Sequence, residues 1–144
     1  MLLFDAAYLK VRPEDAQSLV AHFNDHFAPE GWHLEAPNPS RWYLRLPEGP
    51  GPETRPLADV VGRNIDNFLP TGPRAKRWHA LLNEIQMLFH AAEANRAREA
   101  DGLLPINSLW LSGGGALPVM PGSPFDGISA DEPLARGLAK SGGT

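Results

Sequence analysis

Three consecutive glycines, Gly113 to Gly115, follow Ser112 at the end of the apolar stretch "PINSLWLS". Backbone amides of successive glycines can hold an anion, and the Ser112 hydroxyl could add a further hydrogen bond. The stretch nevertheless lacks the spaced glycines and the lysine of a P-loop. Because residues without a Cβ reach backbone conformations closed to others, the glycines also suit a sharp turn after Trp110. We take the turn as the simpler interpretation and keep the anion site as the alternative.

A second set of polar residues recurs at helical spacing in the longest amphipathic pattern. At 100° per residue these side chains fall on one stripe, away from the apolar stripe. Amides and imidazoles both donate and accept hydrogen bonds, so the stripe could recognise a polar ligand or could simply face solvent. The stripe consists of His79, Asn83, Gln86 and His90, and the predicted ligand-binding set adds Asn107, Ser108, Ser112, Gly113, Gly114 and Gly115.

Other candidates for chemistry are incomplete. His22 and His26 are four residues apart, a spacing that can place two imidazoles on one zinc ion, but no third ligand accompanies them. Asp5 and Glu35 could form a carboxylate pair for acid–base work if they met across a sheet, although a charge at a strand end is the more ordinary role. We therefore expect no metal site and no cofactor, and we assign no catalytic residue.

Composition excludes several classes of protein. The chain has 144 residues, a net charge of -4 and no cysteine, which rules out disulfides, zinc thiolates and thiol nucleophiles. Lysine and arginine are scattered, so no basic patch for nucleic acid is predicted. No apolar run approaches the roughly 18 residues of a membrane span. These features predict a cytoplasmic protein without nucleic-acid or membrane partners.

The predicted elements alternate between strand and helix. They are defined by apolar periodicity, by a proline in the first turn of each of the two main helices, and by breaks at glycine or proline. In order they are a strand in 2–11, a helix at 13–27, a hairpin of 32–36 and 41–46, a short irregular helix in 56–69, a helix at 73–101 and a strand at 106–112. This order is the split βαβ arrangement. We predict an α+β, ferredoxin-like sandwich with a four-stranded antiparallel sheet and two main helices on one face.

Glycine and proline crowd into the end of the chain. This distribution predicts an α+β core domain at 1–112 and a Gly/Pro-rich tail at 113–144, in which "DEPLARGLAK" could form a short helix.

At "RWYLRLP", "RWHALLNEIQMLFH" and "NSLWLSGGG" the sequence resembles a family of proteobacterial proteins labelled cofactor-independent phosphoglycerate mutase. The resemblance covers most of residues 1–118 and implies that members extend at both ends. It implies an enzyme, or a fragment of one, that acts on a phosphorylated small molecule. Such enzymes need a serine or threonine nucleophile beside clustered Asp and His ligands for two metals, and this sequence has no such cluster.

The missing clusters favour a non-catalytic, cytoplasmic binding or regulatory domain over the enzyme suggested by the resemblance. Its expected ligand is small and polar or anionic, and self-association into a homodimer through a sheet face or edge is a further expectation. The enzyme or enzyme fragment stays open as the alternative.

Overall fold

The computed structural model describes residues 2–48 and 52–116, together with residues 137 and 140. Four α-helices and a two-stranded antiparallel sheet form this part of the chain, which confirms the α+β class. The helices are α1 (Ala6–Leu9), α2 (Pro13–Phe27), α3 (Ala75–His90) and α4 (Glu93–Ala100), and the strands are β1 (His33–Asn38) and β2 (Arg41–Arg45). Short 3-10 turns occur at Ala28–Glu30, Leu57–Asp59 and Ile65–Asn67. None of the helices in these ranges is long and apolar enough to cross a membrane.

Helix α2 has the predicted bounds. Pro13 occupies the first turn, where its missing N–H has no helical partner to lose, and Glu14 and Asp15 lie near the positive end of the helix dipole. The apolar stripe of α2 is fully buried at Leu19 and Phe23. Helix α2 therefore forms as the sequence predicts, with one face in the core.

The prediction of a first strand over 2–11 is wrong, because this segment contains α1. The Asp5 carboxylate accepts a hydrogen bond from the Tyr8 amide (2.8 Å) and so caps the helix N-terminus. Lys10, with a φ of 51°, ends it. Apolar residues on both sides of the segment fit a buried strand, but they fit a short capped helix equally well.

The predicted helix over 73–101 is two helices. Arg74 has a φ of 64°, so α3 begins at Ala75, and Ala92 is extended between α3 and α4. The Asn95 side chain donates to the Phe89 carbonyl oxygen (2.8 Å) near the end of α3. This amide satisfies a carbonyl that a continuous helix would have bonded internally, and it stabilises the break.

The predicted last strand over 106–112 is not a strand in the structure. The backbone N–H and C=O of Ile106 both bond to the Asn95 side chain, at 2.7 and 2.9 Å, instead of to a neighbouring strand. A four-stranded, ferredoxin-like sheet is therefore not confirmed, since the described residues hold only the β1–β2 pair. Apart from residues 113–116, 137 and 140, the predicted tail lies outside the described residues.

The predicted hairpin is confirmed. Strands β1 and β2 pair antiparallel, with Leu34 opposite Leu44 and Glu35 opposite Tyr43. On the other edge of β1, the Asn24 side chain accepts from the Leu34 amide (2.7 Å) and donates to the Leu34 carbonyl oxygen (2.9 Å). One amide side chain of α2 thus takes the place of a third strand beside β1.

Aromatic side chains dominate the core between the hairpin and the helices. Phe23 contacts Phe27, Phe27 stacks on Trp32, and Trp32 contacts Trp78, with ring centroids 4.5, 5.8 and 5.5 Å apart. Trp42 of β2 packs edge-on against Phe89 of α3. Large rings bury much apolar area per residue, which suits a small domain with a short sheet.

A buried ion pair joins the helices at the other end of the core. Arg98 of α4 is fully buried and donates to the carboxylate of Asp15, which is 3% exposed. The same guanidinium donates to the carbonyl oxygens of Leu9 (2.6 Å) and Leu104 (2.9 Å). One side chain therefore ties together α2, the end of α1 and the chain after α4.

Arg12 completes this ion-pair network. Its guanidinium donates to Asp15 (3.0 Å) and to Asp101 (2.8 Å). Burial disfavours the ionised Asp15, but hydrogen bonds from Arg12 and Arg98 outweigh burial and hold the pKa of Asp15 below its ordinary value. The hydrogen bond to Asp15 is the largest of the effects that raise the pKa of Arg12.

We predict that Asp15→Asn lowers the free energy of unfolding by about 3–5 kcal/mol, because it leaves the Arg98 charge buried without its partner. Asp101→Asn, at the exposed end of the network, should cost less than about 1 kcal/mol. Denaturant unfolding measures both variants, and a cost below about 1 kcal/mol for Asp15→Asn would contradict the assignment.

The pH dependence follows from the lowered pKa of Asp15. A carboxyl with a depressed folded-state pKa contributes its full stability above its unfolded value of about 4, and loses it as pH falls toward the folded-state value. Unfolding measured from pH 6 downward should therefore show a shallower acid limb in Asp15→Asn than in the parent protein.

Candidate functional site

An open groove of about 660 Å³ lies between the hairpin, the N-terminal segment and the segment at 106–116. Its walls are mainly apolar, with a few hydroxyl and charged groups at the rim. Residues of β2 and those just after it form one wall, residues 3–11 another, and the segment ending in the glycines the third. Ligand pockets in proteins are typically of this size and composition.

The hairpin places apolar side chains in the groove because β2 alternates. Trp42 and Leu44 are half-buried and line the groove, the exposed Tyr43 and Arg45 border it as well, and Arg41 is exposed outside it. Leu46 continues the same apolar row beyond the strand. The period of two in "RWYLRL" therefore sets the chemistry of this wall.

The N-terminal wall carries exposed apolar surface. Phe4 stacks on Tyr8 at 4.6 Å between ring centroids, and both rings are largely exposed. Phe4 lines the groove, as does Leu57 from the 3-10 turn that follows the proline-rich loop. Contiguous exposed apolar side chains in a concave site indicate a binding surface.

The third wall is held at its start and near its middle. Asn95 fixes Ile106 at its start, and the Trp110 indole donates to the Arg55 carbonyl oxygen (2.9 Å) further along. The Trp110 indole thus joins this wall to the segment that precedes the 3-10 turn at Leu57–Asp59. The wall is extended without belonging to a sheet.

The glycine run ends this wall. Gly113 has a φ of 69°, in the left-handed region, and a Cβ there would meet no atom within 4 Å. Gly115 is outside that region and equally uncrowded. This conformation fits the sharp turn expected after Trp110, and backbone conformation, not steric space, calls for glycine at 113.

Half of the predicted ligand-binding set lies in the groove. Ser108, Ser112 and Gly113–Gly115 line it, whereas Asn107 is exposed outside it. The polar stripe of α3 lies elsewhere. His79 donates through Nε2 to the Pro70 carbonyl oxygen (2.9 Å) and Gln86 is half-buried, while Asn83 and His90 are exposed. The structure does not bring the α3 stripe and the glycine run into one pocket.

The histidine and carboxylate candidates are also separate. His26 bonds to Glu84 of α3 (2.7 Å), and His22 is exposed. Asp5 caps α1, and Glu35 lies beside His33 on β1 (3.7 Å). No group of three or more potential metal ligands occurs among the residues that the structure describes.

The predicted site residues did not include the side chains that position the walls, Asn24, Asn95 and Arg98. For two of them the sequence holds a weak signal, since Asn95 and Arg98 are three residues apart, a spacing that places two polar side chains on one face of a helix. The structure shows that this face of α4 is buried. No comparable signal marks Asn24, which lies on the flank of an ordinary amphipathic helix.

Similarity to known proteins covers part of the chain. Over 65 residues the chain is 37% identical to a probable 2,3-bisphosphoglycerate-independent phosphoglycerate mutase of Geobacter sulfurreducens. This match covers 45% of this chain and 16% of that protein. Over 66 residues it is 35% identical to the 2,3-bisphosphoglycerate-independent phosphoglycerate mutase of Methanothrix thermoacetophila, covering 46% and 17% of the two chains. The matched region is about a sixth of the length of these relatives.

These matches support the resemblance to cofactor-independent phosphoglycerate mutases seen in the sequence, although they do not show a proteobacterial origin. No protein-family model and no solved structure matches the chain.

We predict that Gly113→Ala lowers the free energy of unfolding by about 1 kcal/mol, because an L side chain is strained at this φ. Gly115→Ala is the matched control and should leave stability unchanged or slightly raised. Thermal and denaturant unfolding of the two variants measure the difference. Equal effects at 113 and 115 would contradict a conformational role for Gly113.

Proposed function

We propose that this chain is a cytoplasmic, non-catalytic binding domain whose ligand site is the groove between the hairpin, α1 and the glycine-ended wall. The observation that carries the proposal is the groove itself, about 660 Å³ in volume and lined by apolar side chains from three separate parts of the chain. In the binding role, Ser108, Ser112 and the amides of the glycine run supply polar contacts.

The chemistry of the groove favours binding over catalysis. Its ionisable side chains are scattered: Asp5 is engaged as the cap of α1, Glu48 pairs with Arg74 (3.2 Å), and Arg45 lies on the outer face of β2. General acid–base catalysis needs a proton donor or acceptor tuned by its neighbours and aimed at the substrate. The strongly paired carboxylate of Asp15 is buried in the ion-pair network outside the groove.

A second candidate is a piece of an enzyme acting on a phosphorylated small molecule. The partial match to phosphoglycerate mutases favours it. In this interpretation the groove would serve a larger catalytic protein by holding substrate or packing against another part, and phosphoglycerate is the compound to test.

The binding proposal predicts that the apolar anion 1-anilinonaphthalene-8-sulfonate binds the folded protein in the groove. Ser112→Trp should abolish most of the gain in dye emission, because a large side chain on the exposed wall fills the groove without disturbing a described hydrogen bond. Ser18→Trp, on the exposed face of α2, is the matched control and should bind dye like the parent. Equal dye binding by the parent and Ser112→Trp would overturn the assignment of the site.

The same protein separates the two candidates. We expect that isolated chain supplied with 3-phosphoglycerate and divalent metals forms no 2-phosphoglycerate. Conversion above the buffer rate would overturn the non-catalytic proposal in favour of the enzyme.

A further inference from the structure

One edge of β2 is open. Both backbone groups of Leu34 bond to Asn24, so they point away from β2, and Leu34 and Leu44 form a non-hydrogen-bonded pair. The N–H and C=O of Leu44 must then point away from β1, at the outer edge of β2, and Leu44 is one of the residues that line the groove. Within the described part of the chain neither group has a hydrogen-bond partner.

The facing wall is open as well. From Asn107 to Ala116 the backbone makes no backbone–backbone hydrogen bond with any other described residue, and most of this segment lines the groove. The groove is therefore lined by a strand and by an extended segment, both of which have backbone donors and acceptors without a partner among the described residues. Unpaired strand edges are templates for an added strand.

We propose that the groove binds an extended peptide segment, which adds to β2 as an antiparallel strand through the N–H and C=O of Leu44. The inference rests on the proposed function, because it names the ligand class of the same site. Main-chain hydrogen bonds supply affinity in this mode of recognition, and alternate side chains supply specificity.

Charge defines the peptide further. Arg45, next to Leu44, is exposed and makes no ion pair with any residue in the described ranges. The two carboxylates that line the groove are engaged, Asp5 as the cap of α1 and Glu48 in an ion pair with Arg74 (3.2 Å), so Arg45 is the lining charge without an acidic partner among the described residues. In the added strand, residues on the Leu44 face meet apolar walls, and their neighbours lie beside Arg45. The groove thus suits a segment that alternates apolar and acidic residues.

Charge also argues against a second copy of this chain as the occupant. Two β2 edges pairing about a two-fold axis would bring the positive side chains of both copies onto one short ribbon. Like charges across a strand pair are destabilising.

The test uses a short blocked peptide in which valine and glutamate alternate, with binding followed by calorimetry and by amide NMR of the full chain. Binding should perturb the Leu44 amide and the indole signals of Trp42 and Trp110. N-methylation of the peptide residue that pairs with Leu44 should weaken binding by up to about tenfold, because the peptide loses the N–H that donates to the Leu44 carbonyl oxygen.

A second experiment reverses the charge of Arg45 to test the preference for an acidic peptide. Arg45→Glu should weaken the glutamate peptide by about fivefold or more and should favour a valine–lysine peptide instead. Lys76→Glu, exposed on α3 and outside the groove, is the matched control and should keep the parent preference.

The outcomes separate this inference from the proposed function. If no peptide binds while the dye still binds in a manner sensitive to Ser112→Trp, the peptide inference is wrong and the groove remains a binding site. If the N-methylated peptide binds as tightly as the unmethylated one, strand addition is wrong. If the protein forms a concentration-dependent dimer that excludes the peptide, the occupant is a second copy and the choice of a peptide is wrong. If neither dye nor peptide perturbs the groove, both proposals fail.

Discussion

The contact between Asp15 and Arg98 is the constraint on which the arrangement of the helices depends. A fully buried guanidinium is tolerated only when its charge is paired and its N–H groups have acceptors, and Arg98 meets that requirement with Asp15 and three backbone carbonyls. Those carbonyls belong to the end of α1 and to the chain after α4. The ion-pair network thus fixes where the N-terminal wall of the groove ends and where the third wall begins.

Two asparagine side chains of this domain supply the backbone hydrogen bonds that neighbouring strands supply in larger α+β folds. Asn24 satisfies both backbone groups of Leu34, and Asn95 satisfies both backbone groups of Ile106. Buried backbone groups need a hydrogen-bond partner, but that partner can be a side chain as well as another strand. Each asparagine therefore takes the place of a neighbouring strand at its position. At Leu44 of β2 and along residues 107–116 the backbone groups have no backbone partner among the described residues, so the edges that stay open follow from which edges the asparagines occupy.

Sequence periodicity predicted α2 and the hairpin, since strong apolar stripes and a first-turn proline leave few alternatives. Periodicity gave the wrong element where a single side chain decides the local structure. Asp5 caps α1 in a segment predicted as a strand, and Asn95 stabilises the break between α3 and α4 in a segment predicted as one helix. The turn expected at the glycine run agrees with the positive φ of Gly113, whereas the ligand-binding role of the run stays a prediction. The α3 stripe lies away from the glycine run in the structure. Periodicity could not predict this separation, because it defines the face of a helix but not what lies opposite that face.

The central claim is that β2 offers an open edge while β1 is closed by Asn24, and amide hydrogen exchange of the free protein tests it most directly. The Leu34 and Ile106 amides should exchange slowly, near the rate set by global unfolding, because each is held by a buried or half-buried asparagine. The Leu44 amide should exchange much faster. Protection of Leu44 equal to that of Leu34 would show that the edge is already paired, and would contradict the account.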